Sequence, residues 1–119
     1  MKNKRDLISY DYLKLFKQPP SDNLAKSVVT GLVDDCILIK AMVKKEMTDE
    51  EQFEYIATYI SKYSFIIYQF EKVSLFEHCN EIKRLFKGVI LEYFTISDEF
   101  LDQMMHNSIE IFRKTTNEP

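Results

Sequence analysis

The sequence has very few residues that form turns. Among 119 residues there are only two glycines and three prolines, and tryptophan is absent. β-Sheets and long loops require more glycine and proline, because their turns use backbone conformations that other residues adopt with difficulty. The composition therefore favours long helices joined by short connections, and the length fits a single domain.

Cysteine is also scarce, and there is no excess of positive charge. The two cysteines, Cys36 and Cys79, fall within apolar helical patterns, which is typical of reduced thiols and not of a disulfide framework. The net charge is −3, whereas nucleic-acid-binding proteins usually carry a basic excess, so we do not expect a nucleic-acid partner. Neither a signal peptide nor a membrane-spanning segment is predicted, and we expect a cytoplasmic protein.

The apolar segment 53–70 is predicted to be the innermost helix. Its apolar residues recur at alternating steps of three and four, which is the spacing of one helix face. These residues are Phe53, Ile56, Ile60, Tyr63, Ile67 and Phe70. A partial second stripe lies beside the first, and a helix that is apolar on more than one side is normally enclosed by protein.

Similar patterns along the chain predict five helices. Short connections make successive helices antiparallel, so the predicted fold is all-α, an antiparallel helical bundle of four long helices plus a short N-terminal helix. The predicted helices cover residues 4–17, 22–45, 49–71, 75–94 and 98–114. The first ends before Pro19 and Pro20, since proline cannot continue a helix. The tail from residue 115 is expected to fray.

Hydroxyl side chains mark the predicted helix starts. Ser21 is placed to act as an N-cap, the segment 95–98 offers a cap for the last helix, and the segments 48–51 and 74–77 have the spacing of capping boxes. Gly31 lies in the middle of the second helix. Because glycine has no side chain, another helix backbone can approach closely at this position, and we therefore predict a close helix crossing there.

Residues with catalytic or metal-binding chemistry form no recognisable pattern. The two histidines, His78 and His106, lack the glutamate three residues earlier that carboxylate-bridged metal sites in bundles require. Both cysteines lie on apolar stripes, where the sequence places nothing basic to activate a thiol. We therefore expect no metal, no cofactor, no catalytic residue and no enzymatic activity.

Two features of the predicted surface indicate contact with another protein. Asp34 and Asp35 form an acidic pair off the apolar stripe of the second helix, where helix capping does not explain them. Tyr55 and Tyr59 lie outside the main stripe of the third helix, and tyrosine is enriched at interface hot spots. We predict that these four residues bind a partner. Replacing both aspartates with lysine should then abolish binding without changing stability.

The predicted function is that of a small cytosolic protein that binds another protein, in the manner of inhibitors, immunity proteins, anti-factors and chaperones. The prediction rests on likeness of overall form. Two alternatives remain open. Aromatic residues on the third and fourth helices could form a homodimer interface, unless the fifth helix covers them. A pocket lined by Tyr55, Tyr59, Met104 and Met105 could hold a small ligand.

Overall fold

The computed structural model describes residues 20–43 and 46–117, and no β-strand occurs within these ranges. Their helices are α1 (Asp22–Val43), α2 (Asp49–Lys72), α3 (Phe76–Tyr93) and α4 (Asp98–Asn117). The predicted all-α bundle of four long helices is confirmed. α4 continues to Asn117, three residues beyond its predicted end, and the expected fraying of the tail stays a prediction. The predicted helix over 4–17 lies outside the described residues.

α2 packs along α4 in the same direction, although it also forms an antiparallel hairpin with α3. Phe53 and Phe100 line one groove near the N-termini of α2 and α4. Towards the C-terminal ends, the rings of Phe65 and Phe112 meet edge to face with centroids 5.2 Å apart. The same sequence offset relates both pairs, so the two helices are parallel over this length.

α1 packs on α3 in the same manner. Near the N-terminal ends of both helices, His78 Nε2 and Asp22 Oδ1 lie 2.7 Å apart. Near the C-terminal ends, Val43 and Tyr93 line one small cavity. Within the described ranges the backbone of α1 does not closely approach that of α2, so the two helices meet through their side chains.

The core is built around α2, as the apolar pattern predicts. Its side chains pack between α3 and α4, and burial of each large apolar side chain contributes about 1.5–3 kcal/mol. The buried apolar residues of α2 in this core are Ile56, Tyr59, Ile60, Tyr63, Ile66, Ile67 and Phe70. The predicted inward position of Phe53 is wrong, because its side chain is 51% exposed at the end of the bundle.

N-caps are confirmed at three helices. The hydroxyls of Ser21 and Ser97 accept hydrogen bonds from backbone N–H groups of the following turns at 3.2 and 3.1 Å. Thr48 and Glu51 form both hydrogen bonds of the predicted capping box. The Thr48 backbone N–H donates to the carboxylate of Glu51, which lowers the pKa of that carboxyl group.

The predicted capping box over 74–77 is wrong, because Ser74 closes α2 instead of starting α3. Ser74 has a left-handed backbone with φ of 63°. Its N–H donates to the carbonyl oxygen of Glu71, and the N–H of Leu75 donates to that of Phe70, both at 3.0 Å. These two bonds form a Schellman motif, in which the left-handed position is usually glycine.

Gly31 does not mark a close crossing between any two of the described helices, so the predicted crossing is not found within the described part of the chain. A Cβ atom built on this residue would have no described atom of a neighbouring element within 4 Å. Glycine in a helix interior lowers stability by about 1 kcal/mol relative to alanine. Within the described part of the chain, close packing does not offset that loss.

Replacing Ser74 with glycine should stabilise the protein by about 0.5–1 kcal/mol, because glycine adopts the left-handed conformation without a clash of Cβ. As a contrast, Ser97→Ala should destabilise the protein by about 1 kcal/mol, because it removes the N-cap of α4. Urea unfolding followed by circular dichroism measures both changes. A lower free energy of unfolding in Ser74→Gly would show that Ser74 does not close α2 in this way.

Candidate functional site

The two aspartates that the sequence pairs as a partner-binding site face different surroundings. Successive residues of a helix point about 100° apart. Asp35 is turned inward and is 7% exposed, whereas Asp34 is exposed. Asp34 is therefore available to a partner, and its role in binding stays a prediction. Asp35 has a structural environment that the sequence did not indicate.

Asp35 lies at the centre of a buried polar bridge between α1 and α2. Its Oδ2 atom accepts a hydrogen bond from Lys62 Nζ at 2.6 Å and another from the Tyr63 hydroxyl at 2.5 Å. The Tyr63 ring stacks on Phe86 of α3, with the centroids 4.7 Å apart. The bridge therefore joins α1 to α2 and to the centre of the core.

The tyrosines next to this bridge form a row along α2. The hydroxyls of Tyr55 and Tyr59 are 3.3 Å apart, and their rings meet edge to face. Burial raises the pKa of Tyr55, Tyr59 and Tyr63, and the negative charge of Asp35 acts in the same direction. Tyr59 is 1% exposed, so only Tyr55, which is half-buried, presents part of its surface to solvent.

The aromatic excess on α2 and α3 is largely covered by α4. The rings of Phe65 and Tyr68 both lie against the ring of Phe112. Phe94 is buried, whereas Phe76 remains 55% exposed at the start of α3. Most of these residues are therefore core, and little of the surface expected for a homodimer on these two helices is accessible.

The four residues predicted to line a ligand pocket belong to the core or pack against it. Tyr59 and Met105 are buried, and Tyr55 and Met104 are partly buried against them. No three His, Cys, Asp or Glu side chains in the described ranges are placed to hold a metal ion.

The thiol of Cys79 is held in an apolar environment. It donates to the carbonyl oxygen of Ile67 at 3.3 Å, and burial raises its pKa to about 11. A thiol with this pKa is almost fully protonated at neutral pH and is a poor nucleophile.

An open groove lies at the end of the bundle where α2 and α4 begin. It has a volume of about 410 Å³, and Phe53 from α2 and Phe100 from α4 line it. Both side chains are about half exposed, at 51% and 49%. The other lining residues are Asp49, Gln52, Ile56, Phe94, Thr95, Ile96 and Ser97. We call this feature the α2–α4 groove.

Local sequence and helix pairing together position the two phenylalanines. The caps at Thr48 and Ser97 start α2 and α4 just before Phe53 and Phe100. Because the two helices run parallel, both early turns lie at the same end of the bundle. The apolar spacing predicts an inward position for Phe53, and no sequence pattern singles out Phe100. The signal they share is an aromatic residue beside acidic residues, close to a capped helix start.

The chain around the α2–α4 groove is acidic. The segments 46–54 and 92–100 contain eight acidic residues and no basic residue. Of these acids, Asp98 is paired with Lys87, whose Nζ lies 2.5 Å from its carboxylate. The groove thus combines exposed aromatic side chains with a strongly acidic surrounding.

A second groove, of about 360 Å³, runs along α3 and contains Lys83, Arg84 and Lys87. Lys87 is bonded to both Asp98 and Asp102, and Lys83 is bonded to Asp102. These hydrogen bonds raise the pKa of Lys87 and lower that of Asp102. Since the carboxylates neutralise much of its positive charge, this groove does not favour anion binding.

No helix within the described ranges is long and apolar enough to cross a bilayer. Comparison of the chain with protein-family models, with curated proteins and with solved structures finds no significant match. Function is therefore inferred from the geometry of the chain's own residues.

Asp35→Ala should destabilise the protein by about 2–4 kcal/mol, because it leaves the buried hydroxyl of Tyr63 and the partly buried ammonium of Lys62 without their acceptor. The neighbouring substitution Asp34→Ala should change stability by less than about 0.5 kcal/mol, because that side chain is exposed. Urea unfolding of both variants measures the difference. The sequence predicts that lysine at position 35 leaves stability unchanged, whereas the structure indicates a loss of stability. Equal losses in the two variants would contradict the buried bridge.

Stability should fall as the pH rises above about 10, where tyrosine ordinarily ionises. The folded state keeps Tyr59 and Tyr63 protonated because their pKa values are raised, whereas the unfolded state loses those protons. Absorbance at 295 nm should report ionisation of these tyrosines together with loss of helix. Tyr59→Phe should flatten the dependence of unfolding free energy on pH by the equivalent of one proton. An unchanged slope would show that Tyr59 titrates normally in the folded state.

Proposed function

We propose that this chain is a non-enzymatic protein-binding bundle that holds a segment of another protein in the α2–α4 groove. The observation that carries the proposal is the pair of half-exposed phenylalanines, Phe53 and Phe100, that line one open groove. Aromatic side chains in concave surroundings are the residues that most often dominate binding energy at protein interfaces. The class of function is the one expected from the sequence. The binding surface is the α2–α4 groove, whereas the sequence placed it at Asp34, Asp35, Tyr55 and Tyr59.

The chemistry of the groove lining favours contact over catalysis. Its lining contains a single carboxylate, that of Asp49, together with apolar, amide and hydroxyl groups. A general acid and base would require at least two suitably placed titratable groups. The free thiols of Cys36 and Cys79 support the cytoplasmic location that we propose for the protein. An inhibitor, an immunity protein, an anti-factor or a chaperone would each use a groove of this kind.

Selection of a random displayed peptide library against the purified protein tests this function. The selected peptides should bind the double variant Phe53→Ser/Phe100→Ser at least about tenfold more weakly, because truncation of aromatic anchors removes the main apolar contacts. The matched control is Phe76→Ser, which removes an equally exposed phenylalanine at the opposite end of the bundle. This control should bind the same peptides as tightly as the unmodified protein.

Selected peptides that bind the double variant as tightly as the unmodified protein would show that the groove is not the binding site. Light scattering on both proteins tests self-association at the same surface. If the unmodified protein forms a dimer and the double variant does not, the groove binds a second copy of this chain. That result would overturn the proposal that it binds another protein.

A further inference from the structure

Parallel packing of α2 and α4 gathers charge at one end of the bundle. Each helix N-terminus carries about half a positive charge from its aligned peptide dipoles, so two together carry about one. Acidic residues in the first turns of both helices offset this charge. The acidic residues of these first turns are Asp49, Glu50, Glu51, Asp98 and Glu99.

The number of carboxylates at this end is larger than the number needed to offset the positive charge of the two helix N-termini. The segments 46–54 and 92–100 bring eight carboxylates to this end. Lys87, through its pair with Asp98, and Lys40, in the last turn of α1, contribute one positive charge each. The C-termini of α1 and α3, which lie at the same end, offset the positive N-termini of α2 and α4, so about six negative charges remain without a compensating positive charge. Lys44 and Lys45 lie outside the described residues and are not counted in this balance.

Several of these carboxylates are directly available to a ligand. Asp49, Glu50, Glu54 and Glu99 are exposed, and none forms an ion pair with a residue in the described part of the chain. They flank the two groove phenylalanines in sequence, on α2 and on α4. Repulsion among these unpaired charges is relieved when a cationic ligand approaches.

We propose that the occupant of the α2–α4 groove is a basic protein segment, rich in lysine or arginine, that carries at least one large apolar side chain. This inference rests on the proposed function, since it names the chemistry of the partner at that site. The apolar side chain contacts Phe53 and Phe100, and the basic residues lie against the surrounding carboxylates. The negative field also draws such a segment to this end before contact is made.

Three synthetic peptides of equal length, with leucine at the same positions, test the chemistry. Their remaining positions are lysine in the first, serine in the second and glutamate in the third, and fluorescence anisotropy measures their affinity. The lysine peptide should bind at least about tenfold more tightly than the serine peptide at low salt, and the glutamate peptide should not bind. Raising sodium chloride from about 50 to about 500 mM should weaken the lysine peptide most, because salt screens exposed charges.

Two charge-reversed variants separate a local effect from a change in net charge. Glu54→Lys/Glu99→Lys reverses two carboxylates beside the groove and should weaken the lysine peptide about tenfold. Glu77→Lys/Glu81→Lys makes the same change in net charge on α3, and it likewise alters one first-turn acid. This control should leave the affinity within about twofold of the unmodified protein.

The possible outcomes distinguish the two proposals. If the lysine and serine peptides bind equally well and both are weakened by Phe53→Ser/Phe100→Ser, the inference of a basic partner is overturned, but the groove is still the binding site. Binding of the lysine peptide that is insensitive to the phenylalanine variant would overturn both proposals. Equal weakening by the two charge-reversed variants would show attraction by net charge alone and would also overturn the inference.

Discussion

The parallel packing of α2 on α4 is the constraint on which the rest of the structure depends. It encloses the central helix, and it brings two capped helix starts to one end of the molecule. Aligned helix dipoles side by side repel, and acidic first turns reduce that repulsion. The same arrangement places Phe53 and Phe100 around one groove. Architecture, charge and candidate binding site therefore have a common physical origin.

α1 is held in the bundle differently from the other helices. It packs on α3, and its link to α2 passes through the carboxylate of Asp35, which accepts bonds from Lys62 and Tyr63. Desolvation offsets much of the attraction in a buried ion pair, so the pair adds little net stability compared with apolar packing. Loss of one member is still costly, because its partners remain buried or partly buried without a hydrogen bond. The bridge thus favours one placement of α1 over others.

The proposed binding surface combines two effects that act over different distances. Carboxylate charge acts over about 8–10 Å at physiological salt, so it influences how a partner approaches. Burial of phenylalanine acts only on contact, where it determines how long the partner stays bound. The acidic pair that the sequence emphasised, Asp34 and Asp35, does not combine these effects, because one carboxylate is exposed alone and the other is neutralised inside the protein.

The sequence by itself determined the four helices, three of their caps and the enclosure of α2, because these depend on a 3.6-residue repeat and on contacts within four residues. It did not determine that α2 would pair with α4, that Asp35 would point inward or that Phe53 would be exposed. Those outcomes required the tertiary structure. Helix pairing depends on the fit of side chains far apart in the chain, and one helix pattern is compatible with several neighbours. The candidate site depends on that pairing, since its two walls come from different helices.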